Sequence, residues 1–497
     1  MSYLELLQLV SPEATLTVTA LTVLAVGLTS SGQVSSRGSS VPAASSACTV
    51  IAALGLLVSV FAVLHLPPDA MRFNGMLVIS PLTSLFKIIC LTLAFFAVLL
   101  GHDEESLARN RGEYLAILLL ATIGLMLLVS SEELLMIFIG LELTGLSLYL
   151  MTAFDKTDAR SAEAGLKYFL FGSTASAFTL FGLSLVYGMS GSTSLTAIAQ
   201  NLASGPIQPL LAAGIVMTLV GLAFKVAAAP FHLWAPDAYQ GAPTTSAAFI
   251  ASGSKVAAFF VLGKIVLIGF GPLAGSAAWH AMVSGWAPLL AALAALSILV
   301  GNFVALVQTN LRRLLAYSAV AHAGYTLLGL VAGGRDGFGA TLFYTTIYAF
   351  TLVGAFGVVA AVRRDTGGDD LTNFTGLSSR SPLLAGCMAI FMLSLAGLPP
   401  LAGFFGKFYL FSAAFRSGNN HGLLWLVALA LFGSLVSLYY YLIVLKVIFT
   451  AKFSTDAPAP GLSFIQGLSL SMLALAVLVL GITPGPFITR IMSALPA

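Results

Sequence analysis

Apolar stretches of about 20 residues recur along the whole chain, from Thr15 to Ile488. A helix of that length crosses a hydrocarbon core of about 30 Å. Of the 497 residues, 58% are hydrophobic and only 8% are charged. Soluble proteins carry roughly 25% charged residues. The sequence therefore predicts an all-α polytopic membrane protein, because a helix satisfies its own backbone hydrogen bonds inside lipid.

The hydropathy pattern predicts fourteen membrane-spanning helices. The opening sequence MSYLELLQLVSPEA contains Glu5 and Glu13 and no basic residue, so we expect no cleavable signal peptide. The predicted spans are residues 12–30, 47–66, 77–100, 112–130, 133–154, 162–189, 207–230, 241–268, 279–306, 311–333, 338–362, 382–410, 421–450 and 462–490.

Basic residues accumulate on one side of the predicted spans. Eleven follow odd-numbered spans, and four follow even-numbered spans, including the last. Because cytoplasmic loops are enriched in Lys and Arg, we expect both termini to lie on the outer face of the membrane. The eleven are Arg37, Arg109, Arg111, Lys156, Arg160, Arg312, Arg313, Arg363, Arg364, Arg380 and Lys452, and the four are Arg72, Arg335, Arg416 and Arg490.

Two of the predicted spans carry prolines at membrane depth. The seventh should be broken around Pro230 and Pro236, and the twelfth around Pro399 and Pro400. Irregular backbone survives at that depth only where it is buried in protein or lines a wet cavity. If spans 4–8 and 9–13 form two units of five helices, the broken helix is the fourth in each unit. Matching breaks in two halves are typical of inverted-repeat transporters.

This arrangement predicts four parts of the chain. Residues 1–110 would hold the first three spans, and residues 111–270 would form the first repeat with spans 4–8. Residues 271–450 would form the second, inverted repeat with spans 9–13, and residues 451–497 would hold the last span. The odd number of helices in each unit is what requires the two repeats to be inverted.

Five ionisable side chains lie well inside the predicted spans, namely Glu142, Lys225, Lys255, His322 and Lys407. An ionisable group near the bilayer centre costs about 2.5–3.5 kcal/mol on insertion scales, so each is expected to have a function. Burial and a neighbouring cation make a lysine release its proton more readily, and a nearby carboxylate stabilises the protonated form. A series of buried lysines with one glutamate therefore predicts proton transfer.

Other charged residues have simpler interpretations. Lys264 lies near a span end, where a lysine usually extends its ammonium group to the lipid headgroups. Lys87 is expected to have a structural role. Glu132 and Glu133 should lie in a solvated loop, and Asp237 should anchor the loop after the first break.

The chain carries no recognisable signal for a cofactor. Cys48, Cys90 and Cys387 lie far apart within apolar segments, so neither a disulfide framework nor an iron–sulfur pattern is expected. The six histidines show no spacing typical of metal ligands. Glycine-rich patterns for dinucleotides or ATP are also missing. We therefore expect no catalytic, cofactor-binding or metal site in this chain.

Three long segments resemble a known family: AFKVAAAPFHLWAPDAYQGAPTTSAAFIASGSK, RRLLAYSAVAHAGYTLLG and LSLAGLPPLAGFFGKFYLF. They are similar to subunit N of the proton-pumping NADH:quinone oxidoreductase, respiratory Complex I, equivalent to mitochondrial subunit 2. The stretch PDAYQGAPT resembles subunit N rather than subunits L and M or the multisubunit cation/proton antiporters. Because Ala497 follows soon after the last predicted span, we expect no lateral helix of the kind that closes subunit L.

The resemblance implies an antiporter-like subunit that moves protons when quinone is reduced elsewhere in the complex. It places the family's helix-5 glutamate at Glu142 and its helix-10 histidine at His322. The lysines of helices 7, 8 and 12 correspond to Lys225, Lys255 and Lys407. NADH, FMN, iron–sulfur clusters and quinone would belong to other subunits. The expected partners are lipid and subunits M, K, J and A/H-type neighbours, and no nucleic acid.

Other functions stay open at the level of sequence. The chain could serve a stand-alone or multisubunit cation/proton antiporter, which would give cation-dependent transport. It could also be a non-conducting spacer, in which buried lysines could be lost without effect. Related dehydrogenases with another electron donor contain an N-like subunit as well, so the donor cannot be deduced from these residues.

Overall fold

The structure is a computed structural model that describes residues 3–31, 43–203, 207–417, 421–450 and 461–495. Arg37, Lys452 and Ala497, which enter the predicted topology, lie outside the described residues, as does the predicted boundary at residue 451. Within the described ranges the protein is helical apart from its loops and one two-stranded antiparallel sheet. The strands are β1 (Ala70–Arg72) and β2 (Leu77–Ile79).

The α-helices are numbered in chain order. The first five are α1 (Tyr3–Leu9), α2 (Ser11–Ser31), α3 (Ala43–Leu64), α4 (Pro81–Leu100) and α5 (Glu105–Ala108). The next eight are α6 (Arg111–Val129), α7 (Leu134–Thr152), α8 (Ala159–Ser190), α9 (Leu195–Leu202), α10 (Pro209–Lys225), α11 (Trp234–Gly241), α12 (Thr244–Ala251) and α13 (Gly253–Lys264). The last nine are α14 (Trp286–Leu306), α15 (Leu311–Ala332), α16 (Gly334–Thr366), α17 (Leu377–Arg380), α18 (Pro382–Ala396), α19 (Ala402–Arg416), α20 (Leu424–Thr450), α21 (Phe464–Ile482) and α22 (Gly485–Ala494).

The predicted number of spans is confirmed. Twelve helical stretches among the described residues are long and apolar enough to cross a membrane. Two shorter apolar helices, α10 and α18, complete the series. Each of these two is followed after a break by a second half-helix, α11 or α19.

Both predicted breaks are present, and each falls in the fourth span of a set of five. Residues 226–233 separate α10 from α11, and residues 397–401 separate α18 from α19. Pro230 lies in the first break, and Pro399 and Pro400 lie in the second. Proline cannot donate a backbone hydrogen bond, so these positions suit the ends of half-helices.

The structure corrects the role predicted for Pro236. This proline is the third residue of α11, where a backbone N–H has no partner inside the helix, so it starts a helix rather than breaking one. Two other interruptions were not predicted. One lies at Ser252, between α12 and α13, and the other at residues 483–484, between α21 and α22.

Protein groups satisfy the backbone that the first break exposes. The N–H of Ala229 donates to Ser297 Oγ of α14 at 2.8 Å. Trp234 Nε1 donates to the carbonyl oxygen of Phe224 at 3.0 Å. Because the partners are protein side chains, this irregular segment is tolerated at a depth where lipid offers none.

The loops alternate between two faces of the bundle. A cavity on one face is lined by residues that end or follow the third, fifth, seventh and eleventh spans. These residues include Glu104, Asp158, Gly241 and Arg363. On the other face, backbone hydrogen bonds join loops that follow even-numbered spans. The pairs are Glu132 N–H to Gly75 O at 2.8 Å and Trp279 N–H to Gly422 O at 3.2 Å.

Two predictions for charged residues near span ends are wrong. Lys264 is 3% exposed and does not extend toward lipid headgroups. Its Nζ lies 3.0 Å from the carboxylate of Glu132 and donates to Val129 O at 3.2 Å. Glu133 is also buried, and its carboxylate accepts from the N–H of Met136 at the start of α7. Neither glutamate is therefore part of a fully solvated loop.

Lys87 forms an ion pair, which agrees with the structural role predicted for it. Its Nζ lies 2.7 Å from the carboxylate of Glu13, so the pair joins α4 to α2 inside the bundle. Asp237 lies in the first turn of α11 rather than in the predicted loop, but it is an anchor, because its carboxylate binds Lys167 Nζ and Arg313 Nη1, each at 2.9 Å.

Candidate functional site

The five predicted residues lie on five different helices. Glu142 is on α7, Lys225 ends α10, Lys255 is on α13, His322 is on α15 and Lys407 is on α19. Both half-helices that carry a lysine adjoin a break: Lys225 precedes the first break, and Lys407 follows the second. Lys255, His322 and Lys407 lie around tyrosines that they share. Glu142 and Lys225 form no ion pair with each other.

Glu142 and Lys225 bind different partners. Glu142 accepts a hydrogen bond from Ser176 Oγ on α8. Lys225 Nζ lies 3.5 Å from the carbonyl oxygen of Leu141 and 5.6 Å from the ring centre of Tyr149. Among the described residues no ion pair within 4.0 Å joins Glu142 to Lys225. The two charges therefore occupy neighbouring helices without contact.

A small cavity lies beside Lys225. Thr144 of α7 and Ser254 of α13 line it together with the lysine. The buried hydroxyl of Thr144 has no hydrogen-bond partner within the described part of the chain. Gly145 leaves space for the ammonium group, because a Cβ at that position would lie 2.7 Å from Lys225 Nζ. Ser254 directly precedes Lys255 in α13, but Lys255 itself does not line the cavity.

Lys255 is held by neutral groups. Its Nζ donates to the carbonyl oxygen of Ala319 on α15 at 2.9 Å. The same atom lies 5.7 Å from the ring centre of Tyr348 on α16, within the range of a cation–π interaction. The side chain is buried, and the helix interruption at Ser252 lies three residues before it.

His322 is enclosed between two tyrosine hydroxyls. Its Nδ1 shares a hydrogen bond with Tyr344 of α16, and its Nε2 shares one with Tyr441 of α20 at 2.9 Å. The histidine is 2% exposed. The ring also packs against Tyr348, with 4.9 Å between ring centres, so Tyr348 contacts both Lys255 and His322.

Lys407 is also bound by uncharged oxygens. Its Nζ donates to Ala396 O at 3.1 Å and to Ser434 Oγ at 2.9 Å. Ala396 ends α18, and the carbonyl groups at a helix C-terminus carry partial negative charge that favours a cation. The ammonium group lies 5.3 Å from the ring centre of Tyr325, which in turn contacts His322.

A group of hydroxyl and amide side chains surrounds these residues and was not predicted from the sequence. Asn302 Nδ2 donates to Tyr325 OH at 2.9 Å, and Tyr440 OH donates to Asn302 Oδ1 at 3.1 Å. Tyr440 and Tyr441 are in ring contact, with centres 4.6 Å apart. The signal for them was the run of three tyrosines at 439–441, which is unusual in an otherwise apolar span.

The ionisable groups of the site carry nitrogen and oxygen atoms that can exchange protons. The described residues contain no group of three or more His, Cys, Asp or Glu that could hold a metal ion. Cys48, Cys90 and Cys387 are buried and unpaired. Lysine ammonium groups, one imidazole and several phenols remain, and all of them can take part in hydrogen-bonded proton transfer.

Comparison with known proteins gives the family. Residues 131–437 match the family model described as NADH:quinone oxidoreductase/Mrp antiporter, TM. The chain is 45% identical over 491 residues to NADH-quinone oxidoreductase subunit N 2 of Acidobacterium capsulatum, covering 97% of this chain and 98% of that protein. It is 40% identical over 437 residues to subunit N of Desulforamulus reducens, covering 88% and 89% of the two chains.

A solved structure agrees with these relatives over nearly the whole length. A chain of respiratory complex I from Thermus thermophilus with bound aureothin matches with a TM-score of 0.77 and 32% identity, and 96% of this chain and 98% of that chain are covered. The broken helices and buried lysines thus occur in a fold that is seen in an assembled respiratory complex. The chain belongs to the subunit N family of NADH-quinone oxidoreductase, whose members are antiporter-like subunits of a proton-pumping enzyme.

Proposed function

We propose that this chain transfers protons across the bacterial inner membrane through Glu142, Lys225, Lys255, His322 and Lys407 while quinone is reduced elsewhere in the complex. The chain itself would perform no redox chemistry. NADH, FMN, the iron–sulfur clusters and quinone would be bound by other subunits. The membrane neighbours would be subunits M, K, J and the A/H-type subunits.

The main support is the difference between two groups of lysines, of which Lys225 is half-buried and the others are buried. Lys87 and Lys264 each lie within 3.0 Å of a carboxylate. Lys225, Lys255 and Lys407 have no carboxylate within 4.0 Å in the ranges that the structure describes, and they bind carbonyl or hydroxyl oxygens. A carboxylate stabilises the charged ammonium form far more than a neutral acceptor does. The second group is therefore the one suited to release a proton.

The order of the helices suggests a direction for the transfer. Lys225 would take up a proton from the cytoplasmic side, Lys255 and His322 would pass it through the centre, and Lys407 would release it outward. Moving one charge against 100 mV costs about 2.3 kcal/mol, so the proton affinity of each group must change during turnover. Glu142 could produce that change at Lys225, because it lies on the neighbouring helix and is bound to Ser176 rather than to the lysine.

We also propose that the chain has an internal symmetry. Residues 111–270 and 271–450 would form the two inverted repeats, preceded by three spans in residues 1–110 and followed by the span in residues 451–497. The support is the position of the two breaks, each in the fourth span of its set. Lys225 and Lys407 would then occupy corresponding places in opposite halves.

The test measures protons moved and NADH oxidised in sealed vesicles that contain the whole complex. Lys407→Ala should permit assembly but lower pumping and slow quinone reduction, because the steps are coupled. Lys225→Arg should also fail, since a guanidinium scarcely releases its proton. Lys446→Ala is the control, because that lysine is exposed on α20. An unchanged rate and ratio in fully assembled Lys407→Ala complex would favour a non-conducting spacer.

A further inference from the structure

The surroundings of His322 differ from those of a histidine with a purely structural role. A structural histidine usually has one ring nitrogen bonded to a backbone carbonyl or a carboxylate, which only accepts and therefore sets the tautomer. Here both nitrogens meet hydroxyl groups, from Tyr344 on α16 and Tyr441 on α20. A phenol hydroxyl can either donate or accept. Neither tautomer of His322 is therefore fixed by its partners.

Neutral imidazole has one N–H group and one bare nitrogen. With hydroxyls at both nitrogens, one tyrosine must donate to the ring while the other accepts from it. Exchange of the tautomer reverses both hydrogen bonds, and both ring nitrogens have a partner in each of the two arrangements. The protonated ring is also compatible, because both phenols can then accept.

The tyrosines connect His322 to the lysines on both sides. Tyr348, whose buried hydroxyl has no hydrogen-bond partner in the described structure, contacts the His322 ring and lies under Lys255. Tyr344 packs against the helix of Lys407, because a Cβ at Gly406 would lie 2.5 Å from its ring. The imidazole therefore lies between the two lysines, because Tyr348 contacts both the ring and Lys255, and Tyr325 contacts both the ring and Lys407.

We propose that Tyr344 and Tyr441 are the proton relays of His322, an inference that rests on the proposed function of Lys255 and Lys407. One tyrosine donates its hydroxyl proton to a ring nitrogen as an N–H bond forms. The N–H bond at the opposite nitrogen breaks, and that proton passes to the other tyrosine, which releases its own hydroxyl proton. A proton originating at Lys255 restores the first tyrosine, and Lys407 receives the proton that leaves. One proton crosses the ring in each step and leaves it in the other tautomer, so the original tautomer must return before the next step.

The test uses Tyr344→Phe, Tyr441→Phe and the double variant in the whole complex, assayed in sealed vesicles. Each change removes one oxygen atom and preserves the ring. Each single variant should assemble and lose several-fold in quinone reduction coupled to proton transfer. Because the two hydroxyls act in series, the double variant should be no slower than the slower single variant. Tyr114→Phe is the matched control, since it removes an equally buried hydroxyl that binds Ser246 away from His322.

Independent structural roles predict a different result, in which the two losses multiply. That result, or wild-type rates in both single variants, would overturn the relay. Site-specific incorporation of 3-fluorotyrosine at 344 and 441 keeps the shape and the hydroxyl but changes its acidity. It should alter the coupled rate, and an unaltered rate would count against the relay even if the Phe variants fail to assemble. Lys407→Ala, assayed in parallel, separates failure of the relay from failure of the proposed function.

Discussion

At the scale of single residues, the absence of a side chain at Gly145 leaves room for the ammonium group of Lys225. A Cβ at Gly145 would lie 2.7 Å from Lys225 Nζ, so the lysine would have to move away from the carbonyl oxygen of Leu141. We expect Gly145→Ala to leave the helix and assembly intact, because alanine is favourable in helices. The ratio of protons moved to NADH oxidised should fall.

The control for this prediction is Gly188→Ala. Gly188 lies in α8, and a Cβ there would meet nothing within 4 Å. Both variants make the same chemical change in a helix, and only one of them displaces a lysine. Equal proton ratios in the two variants would show that the position of Lys225 is unimportant for pumping.

At the scale of elements, the start of α15 is held by a buried ion pair. Arg312, in the first turn of α15, pairs with Asp369, which lies in the loop after α16. Arg312 also donates a hydrogen bond of 2.8 Å to the carbonyl oxygen of Ala242, which lies between α11 and α12. Burial alone would raise the pKa of Asp369, but Arg312 and a hydrogen bond from Asn310 hold that pKa below its usual value. The carboxylate is therefore charged at neutral pH, and its contribution to stability is lost only as the pH falls below the ordinary range for aspartate.

We expect Asp369→Asn to destabilise the subunit at neutral pH. The change leaves the buried guanidinium of Arg312 without its counter-charge, and removing one partner of a buried pair costs about 3–5 kcal/mol. The measurement is the thermal midpoint at which the detergent-solubilised complex loses this subunit. Asp336→Asn, at an exposed position in the first turn of α16, should leave the midpoint unchanged. A midpoint for Asp369→Asn equal to that of the control would contradict the role of the ion pair.

At the scale of the whole molecule, the alternating loops determine which side each terminus faces. Basic residues are concentrated after odd-numbered spans, where the structure also places one shared charged cavity. We expect that face to be cytoplasmic and both termini to be periplasmic. A reporter that is active only in the periplasm should work when fused after Ala497 and fail when fused after Gly368. Activity of the Ala497 fusion only in the cytoplasm would overturn this orientation.

Although the burial of Lys264 was not predicted, the spans, the two proline-containing breaks and the five ionisable residues within the spans followed from the sequence alone. The physical reason is that lipid offers no hydrogen-bond partner to a backbone amide or carbonyl group and no counter-charge to an ion. A run of 20 apolar residues must therefore be a helix, and a proline pair such as Pro399 and Pro400 must interrupt one. The five ionisable residues that the family resemblance implies are the same five that lie well inside the predicted spans. The interruption at Ser252 escaped prediction because its local signal is the single Gly253, and an isolated glycine is tolerated inside a helix.

The counter-charge of a buried group depends on tertiary packing. Lys264 was expected to reach the lipid headgroups and Lys225 to lie well inside its span, yet Lys264 meets Glu132 from a distant part of the chain and Lys225 meets a carbonyl oxygen. The tyrosines at His322 likewise come from two other helices. Hydropathy reports how a segment interacts with lipid, whereas the partner of a buried charge depends on how helices pack against each other, and that packing has no local signature in the sequence.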